Sequence, residues 1–135
     1  MKQEDYILRE IEKIGTLLMG LMGKLRKSKV STAISIGELM NSTREMLHEE
    51  IDFDLEMFMQ LNEDELGPYL SEFRGMNTLN QEYLADLLKE IGENSGDLGN
   101  LYLEKALIIY ELCKLEDKTY SFERERKIEE LRQML

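Results

Sequence analysis

The sequence predicts an all-α protein, an irregular bundle of six to seven helices that opens with a long N-terminal helix. Apolar residues recur every three or four positions through most of the chain, which places them on one face of an α-helix. Capping residues precede several of these segments, for example Asn62 and Thr78. Only residues 51–61 alternate apolar and polar positions, and no second strand exists to pair with them, so we expect a helix there too.

The first helix, predicted over residues 5–27 of an N-terminal segment 1–28, has an unusually wide apolar face. Its central stripe repeats every three or four residues and consists of Ile7, Ile11, Ile14, Leu18, Leu21 and Leu25. Five further apolar residues widen the stripe on its two flanks: Tyr6, Leu8, Leu17, Met19 and Met22. About half of the helix circumference is therefore apolar, and we expect such a helix to be covered from two directions.

Part of this face is the candidate interaction surface of the protein. Its members are Ile14, Leu18, Met19, Leu21, Met22 and Leu25. The spacing of the stripe is typical of paired helices, and Gly15, Gly20 and Gly23 leave room for a close approach. The sequence therefore predicts a symmetric homodimer through the N-terminal helix. The alternative is that later helices of the same chain cover the stripe.

Cap and turn signals predict the other helices in order. They are expected over residues 31–49, 53–60, 62–74, 79–93, 98–116 and 121–135. Ser31, Asn62 and Thr78 are the predicted N-caps, and the last two have Glu or Gln three residues later, as in a capping box. Residues 92–97 are the strongest turn signal of the chain. With 135 residues, the chain is expected to be a single helical domain over 1–135.

The two helices around that turn, residues 79–116, resemble one tetratricopeptide-type helical hairpin. The resemblance rests on Gly96 and Asp97 in the turn and on Lys105-Ala106-Leu107 in the second helix. The opening Asp5-Tyr6-Ile7-Leu8-Arg9, the long first helix and the Leu-rich middle are similar to a family of short, all-helical bacterial proteins of unknown function. That resemblance implies a fold with a tetratricopeptide-like C-terminal half and no particular activity.

Charge and hydropathy exclude several classes of partner. The net charge is −11 and the acidic excess lies in residues 38–116, which would repel a phosphate backbone. The one basic cluster, Lys24 to Lys29, lies at the predicted end of the first helix, where cations meet the helix dipole favourably. The uncharged run 14–23 is about half as long as a bilayer span. With a single cysteine as well, we expect a cytoplasmic protein that binds neither nucleic acid nor membrane.

The sequence contains no complete pattern for a catalytic or metal-binding site. Glu45 and His48 have the spacing used in di-iron bundles, but the chain has one histidine in total. The acidic residues of 52–63 match part of a calcium-loop template, yet Met57 stands where that loop requires glycine. Cys113 lies among leucines and is expected to be a core residue. We therefore predict no catalytic residue, no metal and no cofactor.

Two functional hypotheses follow. The first is an adaptor or scaffold that binds a peptide or helix of a protein partner in a groove between helices. The alternative is an enzyme or small-ligand binder that uses carboxylate and tyrosine side chains inside the bundle. Charged groups gathered in a buried cleft would favour the second hypothesis, and an open apolar groove with a polar rim would favour the first.

Overall fold

The computed structural model describes residues 2–28 and 36–135, which form seven α-helices, one short 3₁₀ helix and no strand. The α-helices are α1 (Lys2–Ser28), α2 (Ile36–Ile51), α3 (Leu55–Gln60), α4 (Glu63–Ser71), α5 (Thr78–Glu93), α6 (Gly99–Glu116) and α7 (Phe122–Met134). The predicted all-α class and the long N-terminal helix are thus confirmed. Ser31, the cap proposed for the second helix, lies outside the described residues.

Local hydrogen bonds explain where two of the middle helices begin. The Glu65 side chain accepts from the backbone N–H of Asn62 at 2.9 Å, as expected for the start of α4. At α5 the predicted cap was wrong by one residue. Asn77 rather than Thr78 caps the helix, because its side chain accepts from the Asn80 N–H at 3.0 Å, and asparagine is the stronger N-cap residue of the two.

The alternating stretch 51–61 contains helix α3, as predicted, but the helix begins only at Leu55. Asp54 caps it by accepting from the Met57 N–H at 3.0 Å. Phe53 and Phe58 are fully buried and pack with two aromatic residues from α4 and its C-terminal side, Tyr69 and Phe73. This aromatic cluster joins the short helices α3 and α4 to each other.

Helices α5 and α6 form an antiparallel pair at the centre of the fold. Thr78 at the start of α5 donates to Glu116 at the end of α6 over 3.2 Å, and at the other end of the pair Gly92 meets Gly99. A Cβ atom on Gly99 would lie 2.0 Å from the Gly92 carbonyl oxygen, so the backbones can approach this closely only with glycine. The pair covers the predicted hairpin 79–116, and its closer likeness to a tetratricopeptide repeat stays a prediction.

Helix α1 packs mainly against α5 and also against α2, and its buried side is the core stripe, which we define as Ile14, Leu18, Leu21 and Leu25. All four side chains are buried. Asn80 of α5 fixes the position of α1 along this contact, since its amide donates to the Ile11 carbonyl at 2.9 Å and to the Gly75 carbonyl at 2.7 Å. The arrangement leaves the side of α1 next to the core stripe facing an open groove.

Candidate functional site

A groove of about 350 Å³ runs between α1 and α5 and is a candidate binding site. We call it the α1–α5 groove, and its lining residues are Leu18, Met19, Met22, Gly23, Arg26, Tyr83 and Asp86. Leu18 forms the floor. Met19 is 53% exposed, and Met22 and Tyr83 are half-buried. Flexible thioethers beside a tyrosine form an adaptable apolar surface of the kind used to bind varied apolar side chains.

The structure divides the six residues of the predicted interaction surface into two groups, and their role in binding stays a prediction. Ile14, Leu18, Leu21 and Leu25 are covered by the chain itself, because both α5 and α2 pack against α1. A second chain could therefore pack along the whole core stripe only if the helices of its own chain left it, and the homodimer stays a prediction. Met19 and Met22 remain accessible in the α1–α5 groove.

The unpaired charge in the lining of the α1–α5 groove is positive. Within the part of the chain that the structure describes, the side chain of Arg26 makes no hydrogen bond and no ion pair. Asp86, the one acidic residue of the lining, is already compensated, because Lys127 of α7 lies 2.8 Å from it and the Tyr110 hydroxyl donates to it. Of the two charged side chains in the lining, only the guanidinium is therefore free to meet a ligand.

Glycines on α1 differ in whether the fold requires them. A Cβ atom on Gly15 would lie 3.0 Å from the Asn80 side-chain oxygen, so this position has little spare room. At Gly20 and Gly23 no atom lies within 4 Å of the same point. Glycine inside a helix costs about 0.5–1 kcal/mol relative to alanine. The packing of the described residues does not explain that cost at Gly20 or Gly23.

A second depression, between α1 and α2, is larger but less suited to a specific ligand. It has a volume of about 540 Å³ and is wide open. Its lining residues are Arg9, Glu12, Lys13, Thr16, Leu17, Met46 and Glu50. Its charged lining residues carry both signs, and it encloses a ligand less than the α1–α5 groove does, so it offers fewer of the features of a typical ligand site.

Residues singled out for metal chemistry do not converge in the structure. Glu45 and His48 are exposed on α2, and the imidazole Nδ1 lies 3.8 Å from the Asp52 carboxylate. Phe58 of the calcium-like stretch is buried in helix α3 rather than placed in a solvated loop. Among the described residues, no three side chains of the metal-binding types come together.

Cys113 is fully buried on α6, as expected for a core residue. Burial, followed by the nearby carboxylates of Glu82 and Glu116, raises the pKa of its thiol to about 12. The thiol is therefore protonated at neutral pH, whereas nucleophilic attack requires the thiolate.

Sequence reasoning missed a row of ion pairs that joins α7 to α5. Arg124 meets Glu82 at 2.6 Å, Lys127 meets Asp86 at 2.8 Å, and Lys89 meets Glu130 at 3.3 Å. Arg124 also binds Asp117 and the Thr119 carbonyl, although its side chain is only 3% exposed. Burial and the neighbouring carboxylate of Asp86 raise the pKa of Tyr110, which stays a neutral donor in this network.

These groups are of the type that the enzyme hypothesis requires, but they neutralise one another. Asp86 has two donors and Glu82 has a guanidinium partner, so each of these carboxylates is held as an acceptor in an ion pair. A general base needs a carboxylate that can take a proton from a substrate. The geometry is that of a structural network between helices.

No protein-family model, no curated protein and no solved structure matches this chain. Within the described ranges 2–28 and 36–135, no helix combines the length and the apolar character needed to cross a membrane.

Proposed function

We propose that the protein is a non-catalytic interaction module that binds a helix or peptide of a protein partner in the α1–α5 groove. The observation that carries the proposal is the position of Met19 and Met22, which are accessible beside a stripe of fully buried leucines. A helix that serves only the core needs polar residues on its solvent side. The apolar side chains in this groove instead offer a partner an apolar surface of its own.

The two chemical types in the lining suit such a partner. Methionine and tyrosine bury a large apolar area and adapt to different side chains. Tyr83 is also part of the lining, and a phenol hydroxyl can hold a ligand through a hydrogen bond. The paired state of Glu82 and Asp86 supports a binding role for this region over an acid–base role.

Methionine methyl resonances provide a direct test. A synthetic helical peptide with a leucine stripe and uncharged glutamine flanks is titrated into the protein labelled at its methionine methyl groups. We expect the signals of Met19 and Met22 to shift, while that of Met57, which is exposed on α3, stays in place. Shifts spread evenly over all three, or no shift at Met19 and Met22, would rule out the proposed site.

A pair of variants provides the matched control. Met19→Ser removes apolar contact area from the α1–α5 groove and should weaken the peptide at least about fivefold, the effect of roughly 1 kcal/mol. Met57→Ser makes the same chemical change on another exposed helix position. We expect it to leave the affinity unchanged.

A further inference from the structure

We infer that the partner in the α1–α5 groove is an acidic amphipathic helix, which crosses α1 at Gly23 and places a carboxylate on Arg26. This inference rests on the proposed function and names the chemistry of its ligand. Three features carry it: the charge of the lining, the space over Gly23 and the nature of the walls.

Charge complementarity selects a carboxylate. Arg26 lines the α1–α5 groove without an ion-pair partner among the described residues, whereas Asp86 is paired with Lys127 at 2.8 Å. From Lys13 to Lys27, α1 carries four basic residues and no acidic one. This positive segment is local, because the chain as a whole has a net charge of −11. An acidic ligand is thus attracted to this segment and repelled by much of the remaining surface.

Gly23 permits a close approach between the backbone of a partner and that of α1. It lines the α1–α5 groove, and the position that a Cβ atom would take there has no neighbour within 4 Å. Glycine at a ligand site lets two backbones come closer than any other residue does. A partner that passes over this point gives a reason for a glycine that the fold does not itself require.

Both walls are helices, and this favours a helical ligand over an extended one. The backbone groups of α1 and α5 are bonded within their own helices, so they offer no partners to the backbone of an extended peptide. A helix satisfies its own backbone and needs only a surface for its side chains. From Leu18 to Arg26 the lining spans about 12 Å at 1.5 Å per residue, which matches about two helical turns of a partner.

The test of charge uses three peptides with the same leucine stripe and either Glu, Gln or Lys at the flanking positions. We expect the Glu peptide to bind about fivefold tighter than the Gln peptide and the Lys peptide about fivefold weaker, with smaller differences at high salt. Arg26→Glu should reverse this order. Lys13→Glu makes the same change of charge on α1 outside the lining and should preserve it. An order that Arg26→Glu leaves intact, or that both variants reverse alike, overturns the inference.

The test of approach uses two glycines of the same helix. Gly23→Ala and Gly20→Ala should each raise Tm by a few degrees, since neither Cβ meets another atom. Only Gly23→Ala should weaken the Glu peptide, at least fivefold, because Gly20 is not part of the lining. Equal affinities of the two variants overturn the proposed crossing point.

Further outcomes separate this inference from the proposed function. If the Glu, Gln and Lys peptides shift Met19 and Met22 with equal affinity, the inferred charge preference is wrong while the α1–α5 groove remains the binding site. If no peptide moves these signals, the proposed function fails and the inference fails with it. If the two signals move with protein concentration alone, a second copy of the chain is the occupant and the acidic helix is rejected.

Discussion

Two sides of helix α1 illustrate how one apolar face can serve two purposes. Leu18 is 1% exposed in the core stripe, while the next residue, Met19, is 53% exposed in the α1–α5 groove. Both belong to the same wide apolar face of the sequence, but only Leu18 is buried by the rest of the chain. The difference teaches that hydrophobic periodicity locates an apolar face without telling which part of it is needed for folding.

The largest expected effect separates the two sides at adjacent positions. Leu18→Lys places a charge in a site closed by α5, and we expect a loss of at least about 4 kcal/mol in the free energy of unfolding. Met19→Lys projects into solvent and should change it by no more than about 0.5 kcal/mol. Urea unfolding of the two variants measures both values. Similar losses in the two would mean that the boundary between the sides is misplaced.

The next test concerns Asn80, whose hydrogen bonds position α1 on α5. Asn80→Ala removes the donor to the carbonyls of Ile11 and Gly75. We expect a loss of about 1–3 kcal/mol, because a buried hydrogen-bonding group is left without its partner. Asn100→Ala, at an exposed position of α6, is the control and should stay within about 0.5 kcal/mol. A neutral Asn80→Ala would show that the apolar contact alone positions α1.

Two glycine substitutions on α1 are expected to change the stability of the protein in opposite directions. Gly20→Ala should stabilise the protein by about 0.5–1 kcal/mol, because alanine is the better helix former and its Cβ is unobstructed. Gly15→Ala should give no such gain and a net loss of about 1 kcal/mol, since its Cβ would press on the Asn80 amide oxygen at 3.0 Å. Thermal melts of both variants decide between these outcomes. A stabilised Gly15→Ala would contradict the close fit of α1 on Asn80.

The smallest expected effect is that of pH on stability. Acid should weaken the ion pairs of α7 and leave the apolar contact of α1 unchanged. Lys89 lowers the pKa of the Glu130 carboxyl below its usual range. A carboxyl with a lowered pKa contributes stability at neutral pH that is lost as the pH falls through its folded pKa. We therefore expect Glu130→Gln to reduce the dependence of the free energy of unfolding on pH in the acidic range. An unchanged pH dependence would show that the Lys89 contact is not maintained in solution.

Sequence periodicity was sufficient for the fold class and for most helix boundaries. The spacing of Leu18, Leu21 and Leu25 predicts a buried stripe in any helical bundle, and all three side chains are buried in the structure. The Asn62 cap and the turn at 92–97 depend on neighbouring residues only, which is why local signals locate them.

Contacts between distant parts of the chain could not be predicted in this way. Asn80 binds the carbonyl of Ile11, 69 residues earlier, and Arg124 binds Glu82, 42 residues earlier. No local pattern identifies such partners, because they depend on where α1 and α7 come to lie. The same holds for the division between Leu18 and Met19, which required knowledge of the side that α5 covers.

The most direct test of the account is the location of a bound peptide relative to the two sides of α1. A leucine-stripe peptide that carries a nitroxide label should broaden the methyl signals of Met19 and Met22 more than those of the other methionines. Met57 on α3 and Met134 at the end of α7 are exposed and serve as references. Equal broadening at all four methyl groups, or the strongest broadening at Met57 or Met134, would contradict the assignment of the α1–α5 groove as the binding site.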